Sequence, residues 1–317
     1  MLSIVKNAAK KLPYPLFLKI FYGWFYAVQA PRAESLRRKA GFAPLTQEDL
    51  ERRKTSDTLV VLGSGPSINH ITAERWQAIA RCDTAGFNLW VFHPFVPRMY
   101  FIESIYRERD EATNRYLEKY NACVRARASE YDSTLKVVTG MHPRGRHSVL
   151  EWPQAWKTGF RAVCDLPVPA RNESELEYLV SYQQSRGAFG PWNRLPYLFK
   201  YGSTVIAMIA LGVRMGYRNI ILCGIDLDVN QYFYQDAELY PETASLAYHP
   251  RAARFKLMED IPWRIPADLA ILTLKRRLLD PAGIGLFVES RSSALYPRVP
   301  EVTADLLDAP PAPGKLP

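Results

Sequence analysis

With four cysteines (Cys82, Cys123, Cys164, Cys223) in no C-x-x-C spacing and only five histidines, this 317-residue chain lacks both a disulfide framework and a structural zinc pattern. The cysteines read as reduced, mostly buried thiols of a cytosolic protein. There is no internal repeat, no small-residue cleavage site of the secretory type and no uninterrupted apolar run long enough to span a bilayer. A basic nucleic-acid groove is also missing from the main body. Residues 1–54 hold eleven Lys/Arg against four acids, an excess of seven out of nine for the whole chain.

What the chain does have is an apolar content of 48%, enough for a sizeable core. The N-terminal "KKLPYPLFLKIFYGWFYAVQAPR" is dense in Leu, Ile, Phe, Trp and Tyr, but Pro13, Pro15, Lys19 and Gly23 interrupt it. Such a stretch suits a membrane interface, with apolar side chains in the headgroup boundary and lysines toward anionic lipid. The alternative is an N-terminal helix packed on the body. Residues 1–54 are therefore expected to form a basic amphipathic, membrane-associating arm.

Beyond residue 55, extended-looking apolar runs recur at 59–62, 84–89, 99–102, 135–138, 161–164, 220–223 and 284–288. Helical patterns separate several of them, as in "TAERWQAIARC", "ESELEYLVSYQQ", "STVIAMIALGVRMG" and "PADLAILTLKRRLL". This alternation predicts an α/β domain over 55–300 with a doubly wound, mostly parallel sheet. Residues 141–192 read as an insertion, the aromatic stretch 227–263 as a lid, and the Pro-rich 301–317 as a disordered tail.

The stretch "TLVVLGSGPSIN" at 58–69 is a buried strand breaking into a glycine turn. It lacks the lysine of a Walker A loop, and Ile68 stands where the dinucleotide fingerprint needs a small residue. Another nucleotide geometry and an ordinary strand-to-helix turn both remain open. Backbone N–H groups of a glycine turn at a helix N-terminus stabilise an anion, so the turn of Gly63, Ser64, Gly65, Pro66 and Ser67 is expected to receive a phosphate or ribose. Asn88 offers a donor and an acceptor, and Ser203 and Thr204 either cap their helix or reach a cytosine edge. Gly224 and Asp226 follow a buried strand, where Asp226 serves either a ligand or the chain that follows it.

Taken in order, these segments resemble the bacterial sialyltransferases of glycosyltransferase family 42 over roughly residues 57–290. The G-x-G-P-S turn is matched by Gly63 to Ser67, the asparagine after the second strand by Asn88, and the Thr/Ser-led helix by Ser203 and Thr204. The glycine-aromatic pair is matched by Gly216 and Tyr217, and G-I-D by Gly224 to Asp226. The resemblance implies a Rossmann-like fold with a lid, a GT-A-like variant, and a CMP-sugar donor used without a required metal or other cofactor. A lid histidine would act as general base, which points to His249, the only histidine after position 147. Two lid tyrosines would hydrogen-bond the departing phosphate. The second falls on Tyr234 with Tyr232 nearby, whereas the first falls on Asp228, and Glu103 replaces an expected asparagine.

The implied donor is an acidic keto-sugar, sialic acid-like by the resemblance, and the departures leave room for another CMP-activated keto-sugar, Kdo-like or of the legionaminic type. The implied partners are the CMP-sugar donor, a glycan or glycolipid acceptor of lipopolysaccharide or capsule type, and an anionic membrane surface, with no nucleic acid. The implied location is cytoplasmic, peripheral on the inner face of the inner membrane. Two other readings stand. Asp226-Leu227-Asp228 forms a D-x-D that would let two carboxylates share magnesium, as in a pyrophosphokinase of the hydroxymethylpterin type. The third is a non-catalytic, membrane-docked nucleotide-binding protein.

Overall fold

The computed structural model describes residues 12–104, 111–141, 148–228, 231–244 and 265–308. Ten strands occur among them: β1 (Ala43–Pro44), β2 (Thr58–Leu62), β3 (Asp83–Phe87), β4 (Met99–Glu103), β5 (Leu135–Thr139), β6 (Phe160–Ala162), β7 (Cys164–Pro167), β8 (Tyr197–Lys200), β9 (Asn219–Cys223) and β10 (Gly285–Val288). Eight form one sheet in the order β1-β6-β5-β4-β3-β2-β9-β10, and β7 pairs with β8 separately. Every strand pair is parallel.

A parallel sheet needs cover on both faces, so its strands are continuous apolar runs. In β2, Leu59 and Val61 enter one core cluster while Val60 and Leu62 enter the other. The first face is covered by α1 (Tyr14–Trp24), α5 (Glu173–Ser185), α6 (Thr204–Arg214) and α7 (Ala267–Leu274), and the second by α3 (Ala73–Arg81) and α4 (Glu111–Ala126). A further helix, α2 (Ala30–Ala40), follows α1 through a wider turn at Phe25–Gln29. Helix α6 is apolar all round because it lies between layers, with Ala207 to Leu211 wholly buried. Local caps fix the starts of α3 and α5: the Thr72 hydroxyl accepts from the Arg75 amide at 3.3 Å, and Asn172 Oδ1 from the Glu175 amide at 2.9 Å. The expected doubly wound α/β fold is the observed one.

Three expectations change. The described part of the N-terminal arm is not a separate unit: Leu18, Tyr22 and Phe25 are buried in the first core cluster. Tyr22 donates to the Pro167 carbonyl at 2.7 Å and stacks on Tyr182 with ring centres 5.8 Å apart. Within the expected insertion, β6 joins the main sheet and β7 starts the second one. The tail is ordered through its first part, where Val302 and Leu307 are buried in the second cluster and Glu301 bridges to Val288.

Topology locates a site. From β2 the chain adds strands to one side as far as β6, then returns to place β9 and β10 on the other side of β2. The sheet order reverses between β2 and β9, and ligands of open α/β sheets bind beyond the carboxyl ends of the strands at such a point.

Gly23 lies in α1 with no atom within 4 Å of the position its Cβ would occupy. Gly23→Ala is expected to stabilise the fold by about 0.5–1 kcal/mol through lost unfolded-state freedom, read as a rise in Tm of about 2 °C.

Candidate functional site

The turn after β2 and the turn after β9 close against each other. The Gly63 amide donates to the Cys223 carbonyl at 2.8 Å and the Gly65 amide to the Gly224 carbonyl at 2.8 Å. Asp226, 4% exposed, then accepts from the Ser67 amide at 3.0 Å and from the Ser67 hydroxyl at 2.6 Å. The glycines are required by this approach. A Cβ at Gly63 would lie 2.5 Å from the Gly224 carbonyl oxygen, one at Gly65 2.9 Å from the same atom and against the Asp226 carboxylate, and one at Gly224 2.6 Å from Ile68.

This geometry corrects the expectation that the turn offers a row of amides to an anion. Gly63, Gly65 and Ser67 spend theirs on the β9 side, and Pro66 has none. Ser64, half-buried, keeps its amide and hydroxyl without a partner among the described residues, while its carbonyl accepts from the Phe233 amide at 3.0 Å. Asp226 therefore orients the glycine turn. With both of its oxygens on Ser67 and Asp228 exposed, the D-x-D does not present a free carboxylate pair. Among the described residues no group of three or more His, Cys, Asp or Glu converges as a metal site.

A second cluster lies along the ends of β3 and β4 and the start of α6. Asn88 adopts φ +52°, and β3 stops at Phe87 because of it. Asn88 Oδ1 accepts from the Glu103 amide at 2.9 Å, its Nδ2 lies 3.5 Å from the Thr204 hydroxyl, and its carbonyl accepts from the Tyr100 hydroxyl. Thr204 donates onward to Glu103 Oε2 at 3.3 Å. Neither hydroxyl of the Ser203-Thr204 pair caps α6. Ser203 holds the N-cap position without a side-chain cap bond.

Sequence reasoning missed Lys200. Its ammonium sits 2.8 Å from Glu103 Oε1 and 3.5 Å from Asp165 Oδ2. Burial would depress this ammonium, but Asp165 and Glu103 outweigh it and hold its pKa above the ordinary value. Burial raises the Asp165 carboxyl in turn. These residues lie on β4, β7 and β8, far apart in sequence, so no local spacing signals them.

Asn88 and Leu227 (φ +67°) are the two non-glycine residues with positive φ among the described residues. Asn88 follows β3 and Leu227 lies in the turn after β9, the two strands that flank β2, and stored backbone strain of this kind concentrates at functional sites.

Of the expected catalytic residues, His249 lies outside the described residues. Tyr232 is half-buried and stacks on Tyr234 with ring centres 5.2 Å apart, and Tyr234 is wholly buried against Phe92 and Phe233. A cavity of about 620 Å³ opens beyond them, lined in part by Asn69, Trp76, His93, Arg127 and Tyr240. His93 stacks on Trp90 at 4.5 Å and packs tilted against Trp76 at 4.8 Å, and its Nδ1 accepts from the Phe95 amide at 3.0 Å. Burial, with the Arg127 guanidinium nearby, pushes its pKa down to about 4.

No protein-family model matches the chain, and no curated protein matches it. Among solved structures it is similar to the sialyltransferase CstII from Campylobacter jejuni, in complex with the substrate analogue CMP-3FNeuAc, at 14% identity over 78% of this chain and 87% of that one. The TM-score is 0.37, too low for that likeness to bear on the chemistry of this chain.

Two outcomes follow from the site. Gly65→Ala forces apart turns that touch through backbone and is expected to cost about 2–4 kcal/mol in denaturant unfolding, whereas Ser67→Ala, which loses the hydroxyl bond to a buried carboxylate, costs about 1–3 kcal/mol. His93 stays neutral when folded but binds a proton near pH 6.5 when unfolded, so its contribution is lost as pH falls from about 6.5 toward 4. Between pH 7 and 5 the wild type should lose about 2 kcal/mol more than His93→Phe.

Proposed function

We propose that the chain is a glycosyltransferase that takes a CMP-activated acidic keto-sugar and transfers it to a hydroxyl of a glycan or glycolipid. The observation that carries this reading is that Ser64, with its amide and hydroxyl unpartnered among the described residues, and Asn88, bonded to Glu103 and Thr204, follow neighbouring parallel strands paired Leu62 to Gly86 beside the switch point. Ser64 would receive the single phosphate of a nucleoside monophosphate leaving group. A lone amide with no lysine beside it in the turn suits that group better than a triphosphate, which needs a loop of several amides and a cation.

Asn88, Thr204 and Glu103 supply donors and acceptors at fixed positions, as recognition of a ribose or cytosine edge requires. Lys200 clamps Glu103, and Ser203 adds a hydroxyl at the start of α6. The resemblance assigns the remaining roles. His249 would take the proton of the acceptor hydroxyl as its oxygen attacks the anomeric carbon. The bond from that carbon to the phosphate oxygen breaks, and CMP leaves with the electron pair. Tyr232, half-buried where Tyr234 is enclosed, is the better placed of the two to donate to the departing phosphate. No metal or other cofactor is required in this reading.

Thermal-shift titration tests it. CMP at about a hundred times its Kd should stabilise the protein by about 2.7 kcal/mol. Thr204→Val should weaken CMP about tenfold. Stronger stabilisation by ATP or ADP than by CMP would overturn the assignment.

A further inference from the structure

Helix α1 is apolar on two opposite faces. One is taken by the protein: Leu18 and Tyr22, with Phe25 just past the helix end, are 0%, 1% and 4% exposed. The other is not. Leu16, Ile20 and Trp24, spaced four residues apart and so stacked on one side of the helix, are 46%, 52% and 43% exposed. Three of the six large apolar side chains exposed among the described residues thus lie together. A contiguous apolar surface of this kind marks an interaction site.

The charge around it selects the partner. The first acidic residue of the chain is Glu34, and Lys6, Lys10, Lys11, Lys19 and Arg32 precede it. Lys19 and Arg32 are exposed. The acids of α5 are paired, Glu175 with Arg171, Glu173 with Arg276, and Glu177 with Arg276 and Arg277. No described helix is long and apolar enough to cross a membrane, and α1 is already half-committed to the core.

We infer that the Leu16, Ile20 and Trp24 face of α1 docks on an anionic bilayer surface, lying in the headgroup boundary with Lys19 and Arg32 against lipid phosphates. Because the opposite face of the same helix is part of the protein core, docking fixes the orientation of the whole domain on the membrane. A flexible tether would leave it free to turn. The inference stands on the N-terminal helices and on no residue of the candidate site, so it and the CMP reading fail independently.

Flotation of the full chain with vesicles of phosphatidylcholine, with and without phosphatidylglycerol, is the test. The wild type should bind the anionic vesicles and be released by high salt. The Leu16→Gln/Ile20→Gln/Trp24→Gln variant should bind at least about tenfold more weakly at unchanged Tm, and Lys19→Glu about tenfold more weakly. Equal binding by the triple variant, equal binding to neutral and anionic vesicles, or no binding by the wild type would each overturn the proposal. So would a wild-type dimer in sedimentation that the triple variant abolishes, because a second copy would then be the occupant.

Discussion

The arrangement of this protein depends on two turns held in contact, the one after β2 and the one after β9. Backbone bonds from Gly63 and Gly65 to Cys223 and Gly224 continue the β2–β9 pairing past the ends of the strands, and the Ser67–Asp226 pair completes the junction. Nearby features are tied to it. Phe233 hooks the following segment onto Ser64 through its amide, Leu227 is forced to positive φ between Asp226 and Asp228, and Ser293 and Ala294 donate to the Ile225 and Asp226 carbonyls. Since the sheet order reverses at this junction, the constraint that joins the two halves also sets where a ligand would sit.

Glycine there has a different meaning from the one its spacing implies. A glycine turn between a strand and a helix signals equally an anion cradle and a close approach of two backbones, because both need the Cβ absent. Here close approach accounts for Gly63, Gly65 and Gly224, and the candidate anion contact reduces to Ser64. The neighbouring cluster is held by charge. Lys200 lies between Glu103 and Asp165 and so positions a carboxylate beside Thr204, which a neutral asparagine at 103 would not provide.

Much of the fold was legible in the sequence. Strands such as "TLVVL" and "NIILC" are buried on both faces and therefore read as unbroken apolar runs, and α6 announces itself by length and by small and branched apolar residues. The two-residue β1 and the Pro-ending β7 and Lys-ending β8 are too short and mixed to carry a period, so they were not. The N-terminal segment misled in a specific way. Its density of aromatics is common to an interfacial helix and a core helix, and α1 is apolar on both sides, with Leu18 and Tyr22 inward and Ile20 and Trp24 outward. In the site, Asn88 and Asp226 stood out by position after strands and Thr204 at the start of a buried helix, whereas the Lys200 ion pairs depend on elements brought together only by folding.

The central claim is that the β2–β9 junction and the Asn88 cluster form one nucleotide site. A crystal structure of the full chain with CMP tests it most directly. The account predicts the phosphate within hydrogen-bonding distance of the Ser64 amide and the nucleoside against Asn88, Glu103 and Thr204. CMP seated instead in the cavity beside Trp76, His93 and Tyr240, with Ser64 and Asn88 untouched, would contradict it.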